Sequence, residues 1–168
     1  MKKIGLFYGT STRKTASVAK KIAEAFGEDK IDLVPIEKAW QKEFEQYDNL
    51  IVGSSTLFDG ELPDYWDEML PQLETMKMKG KKVAIFGLGN QVEYPDNFVD
   101  GIGILADVFE SAGAQLVGFI PNEGYKFNRS RALRGNQFAG LVLDLENEPD
   151  KTDQRVQDWV KMLQKEFE

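Results

Sequence analysis

The sequence predicts a three-layer α/β sandwich: a five-stranded parallel sheet in the order 2-1-3-4-5 with helices on both faces. Three observations predict it. Nearly continuous apolar runs such as Ile4–Tyr8 and Val83–Phe86 have the composition of strands buried on both sides. Between such runs, apolar residues recur at helical spacing. Three of the runs end in polar, glycine-containing loops: GTSTRKT after Ile4–Tyr8, GSSTLFDGELP after Leu50–Val52, and GLGNQVEYPDN after Val83–Phe86. Strands alternating with helices make a parallel sheet, and ligands of such sheets sit beyond the C-terminal ends of the strands, at the switch point between the first and third.

Taken in order, Ile4–Tyr8 is the first strand. Val18, Ala19, Ile22, Ala23 and Phe26 mark a helix from about Thr15, closed by Gly27. Ile31–Ile36 reads as the second strand, a short helix covers Phe44–Tyr47, and Leu50–Val52 is the third strand. A helix starting near Pro63 carries the stripe Trp66, Met69, Leu70, Leu73 and Met76. After the fourth strand, Val83–Phe86, a helix is expected from Asp96 or Asn97 to about Ala112, with Ile102, Leu105, Ala106 and Phe109 inward. Leu116–Ile120 is the fifth strand. Residues 121–138 are polar and irregular, with three Arg, three Asn and two Gly. Ala139–Leu143 is strand-like again, and Trp159, Val160 and Leu163 belong to a last helix from about Thr152. The whole, residues 1–168, reads as one domain with an insertion at about 121–138.

Composition narrows the chemistry. The 168 residues include no Cys and no His. Disulfides, thiolate metal sites and Cys nucleophiles are therefore excluded, and the commonest general base and metal ligand is missing. A surface with 28 acidic and 21 basic residues, net −7, is a poor partner for nucleic acid or anionic membrane and a good one for a basic protein. No apolar run has the length of a membrane span, and MKKIGLFYG lacks a signal-peptide pattern, so a cytoplasmic location is expected.

Each of the three loops offers a binding function beside a plain structural one. GTSTRKT brings the hydroxyls of Thr10, Ser11, Thr12 and Thr15 to a helix start, which suits either a monophosphate or an ordinary cap. The Walker pattern is not met, because Arg13 rather than Gly precedes Lys14. In the second loop Leu57 and Phe58 either cover a flat ligand or tuck beneath the loop. In the third, Tyr94 either stacks on an aromatic ligand or is simply packed. Asp59, Glu61, Asp64, Glu93 and Asp96 surround this edge with negative charge.

At these residues the chain resembles the flavodoxins, along essentially its whole length. KIGLFYGTSTRKT is similar to the family's first strand and phosphate loop, and GSSTLFDGELPDYW to its second flavin loop. FGLGNQVEYPDNFVDGIGIL is similar to its third. EGYKFNRSRALRGNQFAGLVLD, with TDQRVQDWV, resembles the insertion and last helix of the long-chain subgroup. The resemblance implies a flavodoxin-like fold with an insertion splitting the last strand, a bound FMN, and low-potential one-electron transfer between redox proteins by a monomeric carrier that is not an enzyme. By position it implies that Thr10, Ser11, Thr12, Arg13, Lys14 and Thr15 hold the phosphate. Ser55, Thr56, Leu57, Phe58, Asp59 and Gly60 would line one side of the flavin, and Leu88, Gly89, Asn90 and Tyr94 the other, with Tyr94 stacked on the ring. Family-type partners carry basic docking patches: ferredoxin–NADP reductase, photosystem I, nitrogenase reductase or 2-oxoacid oxidoreductases. Arg13 stands where the family usually has Gly, Leu57 where it has an aromatic, and Asn90 where it has Asp. Two other readings on this fold are an FMN-dependent NAD(P)H:quinone reductase and an interaction domain without cofactor. The insertion is expected to serve partner binding or structure rather than to contact flavin.

Overall fold

In the computed structural model, which describes residues 2–56 and 60–168, strands and helices alternate along the chain. β1 (Ile4–Tyr8) leads to α1 (Arg13–Phe26), β2 (Ile31–Pro35), a short α2 (Gln41–Glu45), β3 (Asn49–Ser55), α3 (Asp64–Thr75), β4 (Lys82–Leu88) and α4 (Asp100–Ser111). There follow β5 (Gln115–Val117), β6 (Ile120–Pro121), β7 (Leu133–Arg134), β8 (Gln137–Phe138), β9 (Leu141–Leu143) and α5 (Thr152–Glu166). The main sheet is parallel, in the order β2-β1-β3-β4-β5, and β9 also pairs with β4. Its fifth position is thus filled in two pieces. Lys82–Ala84 faces Gln115–Val117, and Phe86–Leu88 faces Leu141–Leu143. The expected strand order and the split last strand are both present.

Alternation along the strands builds two cores. Phe7, Leu50, Val52, Val83 and Ile85 point to the face covered by Trp66 and Leu73 of α3 and Leu105 and Phe109 of α4. Leu6, Ile51, Ala84 and Phe86 point to the other, beneath Val18 and Ile22 of α1 and Trp159 and Leu163 of α5. Each such buried Leu, Ile, Val or Phe contributes about 1.5–3 kcal/mol of transfer free energy. No helix among the described residues is long and apolar enough to cross a membrane.

The structure departs from the sequence expectation at several boundaries. The short helix lies at Gln41–Glu45 rather than Phe44–Tyr47, because the Glu43 carboxylate accepts the Trp40 N–H at 2.9 Å and starts the turn there, and the third strand runs on to Ser55. The fifth strand stops at Val117, because Gly118 (φ 81°) turns the chain and its carbonyl accepts the Trp159 indole N–H at 2.8 Å. Ile120–Pro121 instead joins a small antiparallel sheet, β6-β8-β7, built by the insertion. At the start of α1, Arg13 is already helical, two residues ahead of expectation: the Thr12 hydroxyl accepts the Thr15 N–H at 3.3 Å. Finally, α4 begins at Asp100 rather than at Asp96 or Asn97. The Pro95 carbonyl accepts the Asn128 and Arg129 N–H groups at 2.8 and 3.0 Å, and the Phe98 N–H donates to Arg129 O at 3.2 Å. Backbone groups that would have extended the helix are bonded to the insertion, and Val99 (φ 47°) turns the chain in the left-handed region just before the first helical residue.

Candidate functional site

Loops following β1, β3, β4 and β9 surround a cavity of about 450 Å³ at the C-terminal edge of the sheet. Its lining comprises Thr12 and Lys14 from the first loop, Ser55 and Thr56 from the second, Leu88, Gly89, Asn90, Glu93 and Tyr94 from the third, and Leu145 and Glu146 from the fourth. The three sequence loops therefore converge. The fourth segment was missed, although the same rule finds it: an apolar strand, Leu141–Leu143, running into the polar stretch DLENEPD.

The first loop is set from behind. The Gly53 carbonyl accepts the Gly9 N–H and the Trp66 indole N–H, both at 3.0 Å, so the exit of β1 is tied to β3 and α3. Thr15 is buried under the loop, its hydroxyl 3.1 Å from that of Thr12. Thr10 donates its hydroxyl proton to Glu37, and Ser11 and Arg13 are exposed. Lys14 forms an ion pair with Glu146 across the cleft. Arg13 needs no special backbone, since Val99 is the non-glycine residue with left-handed φ among the described residues. In the second loop, Thr56 N–H donates to Leu88 O at 3.3 Å, and the Thr56 hydroxyl accepts the Gly101 N–H at 3.0 Å. Gly60 is buried with φ 82°. Leu57, Phe58 and Asp59 lie outside the described residues.

The family model for flavodoxin matches residues 6–159. The chain belongs to the flavodoxin family. It is 47% identical over 168 residues to the flavodoxin of Synechococcus elongatus, covering 99% of each chain, and 42% identical to that of Klebsiella pneumoniae, covering 98% of each. Among solved structures, Fusobacterium nucleatum flavodoxin bound to flavin mononucleotide superposes with a TM-score of 0.95 at 34% identity, with both chains covered completely. The split last strand agrees with the long-chain subgroup of flavodoxins.

The third flavodoxin loop owes its shape to contacts from three directions. Asn90 Oδ1 accepts the Val92 and Glu93 N–H groups at 3.2 and 3.0 Å, closing a side-chain turn, and Asn90 O accepts the Tyr94 N–H at 2.9 Å. An amide oxygen makes these bonds as a carboxylate would, so Asn in place of the usual Asp keeps the turn. Gln91 is buried. Its N–H and Nε2 donate to Asp144 Oδ2 at 3.1 and 2.9 Å, and its Oε1 accepts the Lys126 N–H at 2.7 Å. The fully buried Asp144 also accepts the Asn147 N–H at 3.0 Å and its Nδ2 at 2.9 Å. Asn147 Nδ2 reaches Asn90 Oδ1 as well, at 2.8 Å. The carboxylate is thus satisfied by amide donors.

Among the described residues, none from the insertion lines the cavity. The insertion braces the third loop instead, at Gln91 through Lys126, at Pro95 through Asn128 and Arg129, and at Asp100, whose Oδ1 accepts the Arg131 N–H at 2.7 Å. Burial pushes the Asp100 carboxyl above the ordinary aspartate range, and the Arg131 N–H and the charges of Arg131 and Arg129 draw it partly back. Beneath the insertion, Arg155 lies 4.3 Å from the Tyr125 ring centre and pairs with Glu148 at 3.1 Å. Burial works to raise the Glu148 carboxyl, but hydrogen bonds from Lys151, Gln91 and Arg155 outweigh it and hold the group below the usual glutamate range.

Proposed function

We propose that this cavity binds FMN and that the chain is a low-potential one-electron carrier between redox proteins. The observation that carries this reading is the polarity of the cavity: hydroxyls, a helix N-terminus and a lysine at one end, an aromatic wall at the other. The donor set fits a phosphate monoester, since Thr12 and Lys14 line the cleft where the dipole of α1 favours negative charge. The remaining loop residues, Thr10, Ser11, Arg13 and Thr15, complete the phosphate end, with Arg13 adding positive charge from the first helical turn. Ser55, Thr56 and Gly60 support one side of the ring, and Leu88, Gly89, Asn90 and Tyr94 the other, where the tyrosine ring offers a stacking face. Bound FMN would supply the one-electron chemistry. The chain's own contribution is to orient the ring, shield it, and surround it with acidic groups such as Glu93 and Glu146. The chain acts as a single cytoplasmic domain, residues 1–168, with the insertion near 121–138 as a brace rather than a flavin contact.

Calorimetric titration of the flavin-free protein tests the phosphate assignment. FMN is expected to bind roughly 100-fold more tightly than riboflavin, the worth of two charge-assisted hydrogen bonds. Equal affinities would remove the phosphate from this loop.

The acidic rim also selects the partner class: redox proteins with basic docking patches, of the ferredoxin–NADP reductase, photosystem I, nitrogenase reductase or 2-oxoacid oxidoreductase type. Electron-transfer rates to such a partner are expected to fall as salt rises, because steering is screened within about 10 Å at 0.1 M ionic strength. A rate independent of ionic strength counts against docking by charge.

A further inference from the structure

The Thr10 hydroxyl, at the entry to the phosphate loop, donates to the Glu37 carboxylate. Glu37 stands in the helical turn Ile36–Lys38 that follows β2, and β2 pairs in register with β1, Pro35 opposite Tyr8. That pairing delivers the carboxylate to the point where β1 enters the loop. Its charge is felt there. Burial first, and Glu37 second, push the Tyr8 phenol above the ordinary tyrosine range.

The chemistry of the contact is restrictive. A threonine hydroxyl has one proton to donate. An ionised carboxylate only accepts, and so does a phosphate dianion. Thr10 therefore serves Glu37 or a phosphate oxygen, not both. Lys14 is engaged in a similar way by Glu146, and water reaches both pairs: Glu37 is exposed, and Lys14 and Glu146 are 49% and 50% exposed.

We propose that Glu37 sets the strength of phosphate binding: it competes with the FMN phosphate for the Thr10 hydroxyl and opposes the phosphate's charge. This role presupposes the FMN reading above. In Glu37→Gln the charge is gone, and the new amide can donate to Thr10 Oγ1, leaving the hydroxyl proton for the phosphate. Glu37 is in this sense a positioning residue acting through Thr10, and the ratio of FMN to riboflavin affinity reports it.

Calorimetric titrations of wild type, Glu37→Gln, Thr10→Val and the double variant, each with FMN, riboflavin and inorganic phosphate, test it. Glu37→Gln is expected to bind FMN and inorganic phosphate about three- to ten-fold more tightly, with riboflavin unchanged and the melting transition retained. The gain should shrink in the Thr10→Val background, where no hydroxyl is contested. Unchanged or weaker FMN binding in Glu37→Gln, with wild type still preferring FMN to riboflavin, overturns the role of Glu37 and leaves the FMN reading standing. Riboflavin affinity rising along with FMN overturns it too, since a general structural effect then explains both. A gain undiminished in Thr10→Val means charge alone acts and the hydroxyl contest is wrong. Equal FMN and riboflavin affinities in wild type sink both readings together.

Discussion

Gly140→Ala is expected to destabilise the fold by about 3 kcal/mol, seen as a lower denaturation midpoint with an unchanged slope. Gly140 precedes β9, at the point where the split strand rejoins the sheet. The first piece pairs with β4 as far as Ala84 and the second resumes at Phe86, leaving Ile85 at the break. Gly140 sits directly against it. A Cβ there would lie 2.2 Å from Ile85 O and 2.9 Å from its carbonyl carbon, with Ile102 Cγ2 at 3.3 Å. The obstacle is the backbone of a central strand, which has no rotamer to turn away. The seam between β4 and β9 must widen, and with it the loop that brings Leu145 and Glu146 to the cavity. A loss below about 1 kcal/mol would show that the seam re-spaces at little cost.

Asp144→Ala is expected to cost about 2 kcal/mol of stability and to weaken FMN binding about ten-fold. The carboxylate is fully buried and accepts four hydrogen bonds, two from Gln91 and two from Asn147. Truncation orphans the buried Gln91 N–H, at about 1–3 kcal/mol, and leaves a cavity beside it, whereas Gln91 Nε2 keeps Glu148 and the exposed Asn147 keeps Asn90 and water. The affinity loss has a separate cause. Gln91 and Asn147 flank and hold Asn90, and Asn90 closes the turn that carries Tyr94. Denaturant titration and flavin titration of the same variant check the two halves. Full stability loss with wild-type affinity would mean that the Tyr94 turn stands on Asn90 alone.

Much of this was legible in the sequence for a reason that lies in the chain's locality. Apolar runs of strand length, the 3.6-residue stripe of Val18, Ile22 and Phe26, and Gly27 at a helix end are written within one element, so the sheet order and the three cofactor loops follow from pattern. The start of α4 is different. DNFVD reads as helix on its own, yet the Pro95 and Phe98 backbone groups are bonded to Asn128 and Arg129, about 30 residues away in sequence. The fifth strand ends early for a similar reason, since Gly118 is held by the Trp159 indole.

The site divides along the same line. The chain by itself determined which strand ends carry hydroxyls, glycines and a tyrosine, because residue type and strand pattern are local properties. Only the tertiary structure decided how those groups are engaged. It gave Thr10 to Glu37 through the register of β2 on β1 and Lys14 to Glu146 across the cleft. It hung the Tyr94 loop on Asp144 and on an insertion that supplies none of the cavity's lining among the described residues. Each of these contacts joins segments distant in sequence, and their closure is compensated only once the sheet has formed, so no window of the chain contains the information.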